Sequence, residues 1–151
     1  KFTLTVLTGR NARRIETVAQ NLHNRFGEIL SMSTKNDIDF EIGFLEGLHK
    51  RLKTDPTVVE MLANIYTEVG RIDEGLEMDL KHVELEPQNP TAHYNLACSL
   101  ALKSFRIEAL DSLRTALEMG FDDFTWMLKD PDLKSLAKDA DFQALLEEFR
   151  S

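Results

Sequence analysis

At 151 residues, with 42% apolar and 29% charged side chains, the chain has the make-up of an ordinary globular domain long enough to bury a real core. No apolar run approaches the roughly 18–20 residues that cross a bilayer. A single cysteine excludes an internal disulfide framework and a thiolate metal cluster, so a reducing, cytoplasmic setting is expected.

The net charge of −8 is spread unevenly. Residues 1–53 carry 9 Lys and Arg against 6 Asp and Glu, whereas residues 54–151 carry 9 against 20. An acidic main body argues against nucleic-acid binding, which needs clustered Lys and Arg to neutralise phosphates. It favours approach by a basic or neutral partner, and equally it keeps a helical surface solvated.

The first ten residues form an arm. Residues 2–8 alternate apolar side chains with Thr, a strand signal with no second strand to pair it. The arm reads as a disordered end or as an edge that adds to another protein's sheet. Residues 11–54 read as a divergent helix pair. The first helix, over 11–32, is capped by Asn11 and lines up Ile15, Val18, Leu22, Phe26 and Ile29. Arg10, Arg13, Arg14 and Arg25 lie on or near it. A basic amphipathic helix suits a membrane surface or a calmodulin-type groove. A core stripe is the commoner use of such a face, so membrane contact is not expected. The second helix, within 37–53, places Ile38, Ile42, Leu45, Leu48 and Leu52 on one face.

Residues 55–88 and 89–121 then read as two copies of one unit. Asp55 and Asn89 are N-caps, each followed by Pro at the first helical position, where a missing N–H costs nothing. In the first unit, Val58, Met61, Leu62, Ile65 and Tyr66 share a helix face. Gly70 ends that helix, and a second follows with Ile72, Leu76, Leu80, Val83 and Leu85. The second unit repeats the pattern with Leu96, Leu100, Phe105, Leu110, Leu113 and Leu117. The offset is 34 residues: Pro56 falls on Pro90, Thr57 on Thr91, Leu62-Ala63 on Leu96-Ala97, Glu74 on Glu108 and Glu84 on Glu118. Ala63, Gly75, Ala97, Ala109 and Ala116 are small enough for paired helices to approach closely. Residues 122–151 close the chain. Phe121, Phe124 and Trp126 precede two short capped helices, built from Asp130 to Leu133 and from Asp139 to Leu146. Such a segment covers the apolar end of a repeat stack.

A 34-residue helix–turn–helix with Leu-Ala, a Tyr, a Gly, a small residue and a closing Glu-Pro resembles the tetratricopeptide-repeat (TPR) family. Tyr94-Asn95-Leu96-Ala97 with Glu108-Ala109-Leu110 and Ala116-Leu117-Glu118 carries the resemblance most fully. The "DPDL" tail resembles the ending of many bacterial TPR proteins. Three positions depart from the family: Asp79 replaces an aromatic, His82 an Ala and Ser104 a Gly. The resemblance implies an all-α fold, a TPR-like α-solenoid of antiparallel helix pairs with a long N-terminal helix and a C-terminal helical cap.

It also implies a role. In this family the first helix of each pair lines a concave groove that holds a protein or peptide. Carried over by position, the groove takes Glu60, Asn64, Thr67 and Glu68 from the first unit, and Tyr94, Cys98, Ala101 and Leu102 from the second. Tyr94 is expected as an exposed anchor, Asn64 as a grip on peptide backbone. The chaperone-tail clamp of some TPR proteins is disfavoured, because Glu60 stands where the clamp has Lys and Leu102 replaces another basic residue. An acidic groove end suits a ligand with Lys or Arg.

No catalytic constellation accompanies the repeat: there is no Gly-rich phosphate loop, nucleophile elbow or paired-His metal motif. Phe121-Asp122-Asp123 reads as a helix cap rather than a paired acid site. Cys98 has no basic neighbour to activate it and reads as a small, semi-buried residue. The expectation is a non-enzymatic adaptor or scaffold with no cofactor and no metal. The competing expectations are a regulatory or oligomerising domain of a larger enzyme, since the chain begins on Lys rather than Met, and a membrane-proximal assembly factor using the basic helix.

Overall fold

In the computed structural model, which describes residues 35–150, the regular structure is helical. In chain order the elements are α1 (Lys35–Arg51), α2 (Pro56–Glu68), α3 (Ile72–Leu85), α4 (Pro90–Leu102), α5 (Arg106–Glu118), α6 (Phe124–Met127), a 3-10 turn (Pro131–Leu133) and α7 (Ala140–Arg150). There is no strand among the described residues. The arm over 1–10 and the helix expected over 11–32 lie outside them.

Helix ends set the frame. Asp55 accepts from the N–H groups of Thr57 and Val58 at 3.0 and 3.1 Å, and Asn89 accepts from those of Thr91 and Ala92 at 2.9 and 3.4 Å. Both cap residues are extended and both precede a Pro, so the first-turn donors without intrahelical partners are satisfied in the same way twice. The other ends match as well. Arg71 N–H donates to Tyr66 O at 2.7 Å and Gly70 N–H to Thr67 O at 3.0 Å. Phe105 N–H donates to Leu100 O at 2.9 Å and Ser104 N–H to Ala101 O at 3.0 Å, the same paired closure. Gly70 turns with φ 81° and Ser104 with φ 63°. The departure at Ser104 therefore leaves the backbone unchanged and costs only the strain of a side chain in the left-handed region.

The frame reaches beyond the two matched units. Asp123, 34 residues after Asn89, caps α6 by accepting from Trp126 N–H at 2.9 Å. Helices α3, α5 and α7 begin at Ile72, Arg106 and Ala140, again 34 apart. The closing segment thus keeps the period of the units before it, while Asp130-Pro131 breaks its first helix after one turn. Proline lacks the N–H that would continue the helix, and Asp130 is extended at φ −60°, ψ 119°. Asp123 acts as a cap, as its sequence position suggests.

Each helix packs on its neighbour: α1 on α2, α2 on α3, α3 on α4 and α4 on α5, with α7 against α5 and the 3-10 turn against α4. The larger apolar core joins α4 and α5 to the closing segment through Leu113, Met127, Leu133, Phe142 and Leu146, all at most 1% exposed. A smaller one joins α1 to α2 through Ile42, Leu45, Leu62, Ile65 and Tyr66. Three apolar expectations need correction. Leu52 falls just beyond the end of α1 and is 44% exposed, Leu80 is 53% exposed and Phe105 45% exposed. On α3 the inward line is instead Gly75, Asp79 and His82. Gly75 suits that line, because a Cβ would fall 2.6 Å from Thr67 Oγ1 and force that side chain to shift.

Ion pairs tie the last helix down. Arg106 meets Asp139 and Asp141, and Arg114 grips Glu148 with two bonds of 2.7 and 2.9 Å. Apart from the half-buried Asp139 these side chains are exposed and screened by solvent, so the pairs add little, and the buried Phe142, Leu145 and Leu146 hold α7. Ser104→Gly should stabilise the chain by about 0.5–1 kcal/mol, since the site already has a glycine-like φ. A raised urea midpoint with unchanged slope is the expected result.

Candidate partner-binding face

The eight residues carried over from the resemblance lie on α2 and α4, and the structure divides them. On α2, Asn64 and Glu68 are exposed, Thr67 is half-buried, and Glu60 is 3% exposed. On α4, Leu102 is exposed at 37%, whereas Tyr94, Cys98 and Ala101 are buried. Tyr94 is therefore not the exposed anchor expected of it.

The reason is the closing segment, which lies along α4. Tyr94 O–H donates to Asp130 Oδ2 at 2.5 Å, and its ring stacks on Phe121 with centroids 4.2 Å apart and planes 8° from parallel. Cys98 Sγ lies 3.8 Å from the same carboxylate oxygen, and Ser135 Oγ donates to Ala101 O at 3.3 Å. Burial and the nearby Asp130 push the Cys98 thiol well up, so it stays protonated and unreactive. Burial likewise drives the Tyr94 phenol far above its ordinary value. What stays open beside this segment is a cleft of about 320 Å³. Ala101, Leu102 and Ser104 line one side, and Pro131, Asp132, Lys134 and Ser135 the other.

A second polar group is absent from the sequence reading. Ser99 Oγ donates to Asp79 Oδ2 at 2.5 Å, joining α4 to α3. His82 Nε2 lies 3.2 Å from Glu86 Oε2, and Asn89 Nδ2 donates to that oxygen at 2.6 Å. With Nε2 donating to a carboxylate, His82 Nδ1 is an acceptor without a partner among the described residues, as are Glu60 Oε2 and Asp79 Oδ1. Burial is the leading cause of the titration shifts in this seam. It raises Glu60 to about 7, with Glu86 and Asp79 adding to the effect, and raises Asp79 to about 7, while it lowers His82. The sequence did hold a signal: Asp79 and His82 are two of the three departures from the family pattern. Their spacing of three puts them on one helix face, and that face points inward.

No family model matches the chain. Over 87 residues it is 32% identical to a chloroplastic protein of Arabidopsis thaliana. That match covers 56% of this chain and 26% of that protein, so the chain spans about a quarter of the curated relative it matches. No described helix is long and apolar enough to cross a membrane.

The Tyr94–Asp130 bond yields a direct test of how the closing segment is held. Tyr94→Phe keeps the stack on Phe121 and leaves a buried carboxylate short of a donor. It should cost about 1–3 kcal/mol, read as a lower urea midpoint, and should speed amide exchange in residues 128–136 more than in α2.

Proposed function

We propose that this chain is a TPR-type helical-repeat module, a non-enzymatic adaptor that holds a basic protein or peptide segment on the face formed by α2 and the end of α4. The observation that carries this reading is the recurrence, at 34-residue spacing, of N-caps at Asp55, Asn89 and Asp123 and of helix starts at Ile72, Arg106 and Ala140. Repeats that keep one frame stack into an extended surface, and such surfaces are used for binding. Asn64 and Glu68 stay exposed on α2, and Leu102 offers an apolar contact at the end of α4. Glu60 is buried, and Tyr94, Cys98 and Ala101 belong to the closing segment's own packing, so the proposed contact set narrows to Asn64, Thr67, Glu68 and Leu102. The acidic charge of residues 54–151 favours a ligand bearing Lys or Arg. A cytoplasmic setting belongs to the same reading. The partial cover of a longer relative favours one further reading, that the module serves as a regulatory or oligomerising part of a larger protein.

The test is fluorescence anisotropy of the full chain against labelled peptides of matched length, Lys/Arg-rich and Asp/Glu-rich. The basic set should bind more tightly, and an Asn64→Ala/Glu68→Lys variant should lose about tenfold or more in affinity, as expected when contacts worth at least about 1.4 kcal/mol are removed. Preference for the acidic set, or binding unchanged in the variant, would overturn the assignment of this face.

A further inference from the structure

The polar seam lies where the two apolar cores meet. The smaller core belongs to α1 and α2, the larger to α4, α5 and the closing segment, with Leu76 and Val83 of α3 touching the larger only as partly buried residues. Between them, Glu60 and Asp79 are 3% and 2% exposed, and each has one oxygen with no partner among the described residues. The groups facing them can be named element by element. Glu60 on α2 meets Asn95 from α4, together with the charges of Asp79 on α3 and Glu86 just after it. Asp79 meets Ser99 from α4 and the charge of Asp132 from the 3-10 turn, and it acts in turn on the Cys98 thiol. Among the described residues, the charged groups acting on both carboxyls are thus acidic. His82, the basic side chain of the seam, is fully buried and directs its Nε2 to Glu86.

A buried carboxylate without a cation is costly, and two that share one buried junction also repel each other. The proton is the counter-ion that fits. We propose that the seam between α2, α3 and α4 is a proton-operated latch, which holds α1–α3 against α4–α7 while Glu60 and Asp79 are neutral and loosens that junction when they ionise.

The sign follows from linkage. Both carboxyls hold their protons more tightly in the folded chain than in the unfolded one, so folding gains most below their unfolded values near 4 and loses that gain as pH rises towards about 7. His82, held low by burial, works in the opposite sense: its contribution is present above about 6.5 and is lost as it takes up a proton at lower pH. Asp132, raised by burial and by Asp130, acts in the same sense as the two carboxyls, and His49 on α1, lowered by burial and by Lys81 and Lys53, acts with His82. Glu60 and Asp79 shift furthest of these groups, each to about 7, so the net direction is loosening with rising pH. The latch does not depend on which partner the chain binds.

The experiment uses the full chain, with urea midpoints and amide exchange measured from about pH 5 to pH 8 and exchange rates corrected for their intrinsic pH dependence. The native chain should lose stability as pH rises and then level off. Exchange in α2 and α3 should quicken by roughly tenfold or more relative to α5 and α7. Glu60→Gln/Asp79→Asn keeps the size of both side chains and mimics the neutral state. It should abolish the fall of both profiles with pH, leaving the shallow rise that the histidines give, and be the more stable protein at the alkaline end. The single variants, each flattening part of the slope, keep the test decisive if the double variant folds poorly. His82→Gln should steepen the fall by removing the opposing group. A native profile that is flat or rises with pH, or exchange that quickens evenly across all helices, would overturn the latch. So would an undiminished fall with rising pH in the Glu60→Gln/Asp79→Asn variant.

Discussion

Chain reversal at fixed intervals is the constraint on which the rest of this structure depends. A helix of thirteen residues has few hydrogen bonds to spare, and an unsatisfied end would undo much of its gain. Here each reversal satisfies its own backbone. Asp55, Asn89 and Asp123 take up first-turn N–H groups, while Gly70, Ser104 and Gly120 in the left-handed region let the last carbonyls be closed by paired bonds. Because the caps recur at one spacing, successive helices meet their neighbours at corresponding positions. Small residues then fall where the backbones approach: Gly75 against Thr67 in one unit, and Ala109, fully buried, in the next.

The same regularity makes the exceptions informative. A repeated apolar interface would weld every helix to the next with interchangeable residues. Between α3 and α4 that weld is interrupted, and Asp79, His82, Asn89 and Ser99 occupy buried positions. Replacing such groups with well-packed apolar ones is often neutral or stabilising, so their burial is not explained by stability alone. A polar seam instead makes the strength of one junction depend on a chemical variable, while the apolar core of α4, α5 and α7 stays indifferent to it.

Much of the fold was legible because it rests on local chemistry. The Asp-Pro and Asn-Pro starts, the Gly at position 70 and the helical spacing of Leu62, Ile65 and Tyr66 act within a few residues, and the structure agrees with them. The all-helical architecture follows from those signals. Legibility failed where the decision lay elsewhere in the chain. Leu80 was read into the apolar face of α3 by periodicity, yet the buried face is that of Gly75, Asp79 and His82, and Leu80 lies outside it. Whether Tyr94 is exposed depends on Asp130, 36 residues away, and spacing within α4 carries no trace of that contact.

That last contact also shapes what a partner could meet. Backbone geometry would make α2 and α4 equivalent, since they share length, caps and closing bonds. Their surroundings make them different. The closing segment lies on Tyr94, Cys98 and Ala101, so α4 spends its aromatic residue on the chain's own end and leaves Leu102 at the margin. No such cover from the described residues lies over Asn64 and Glu68 on α2. A ligand following both helices would therefore find its polar and acidic contacts on α2 and an apolar edge beside the cleft at Ser104 and Pro131. The asymmetry comes from one proline. Pro131 ends the first helix of the closing unit early, and the freed chain runs back along α4 instead of extending the stack.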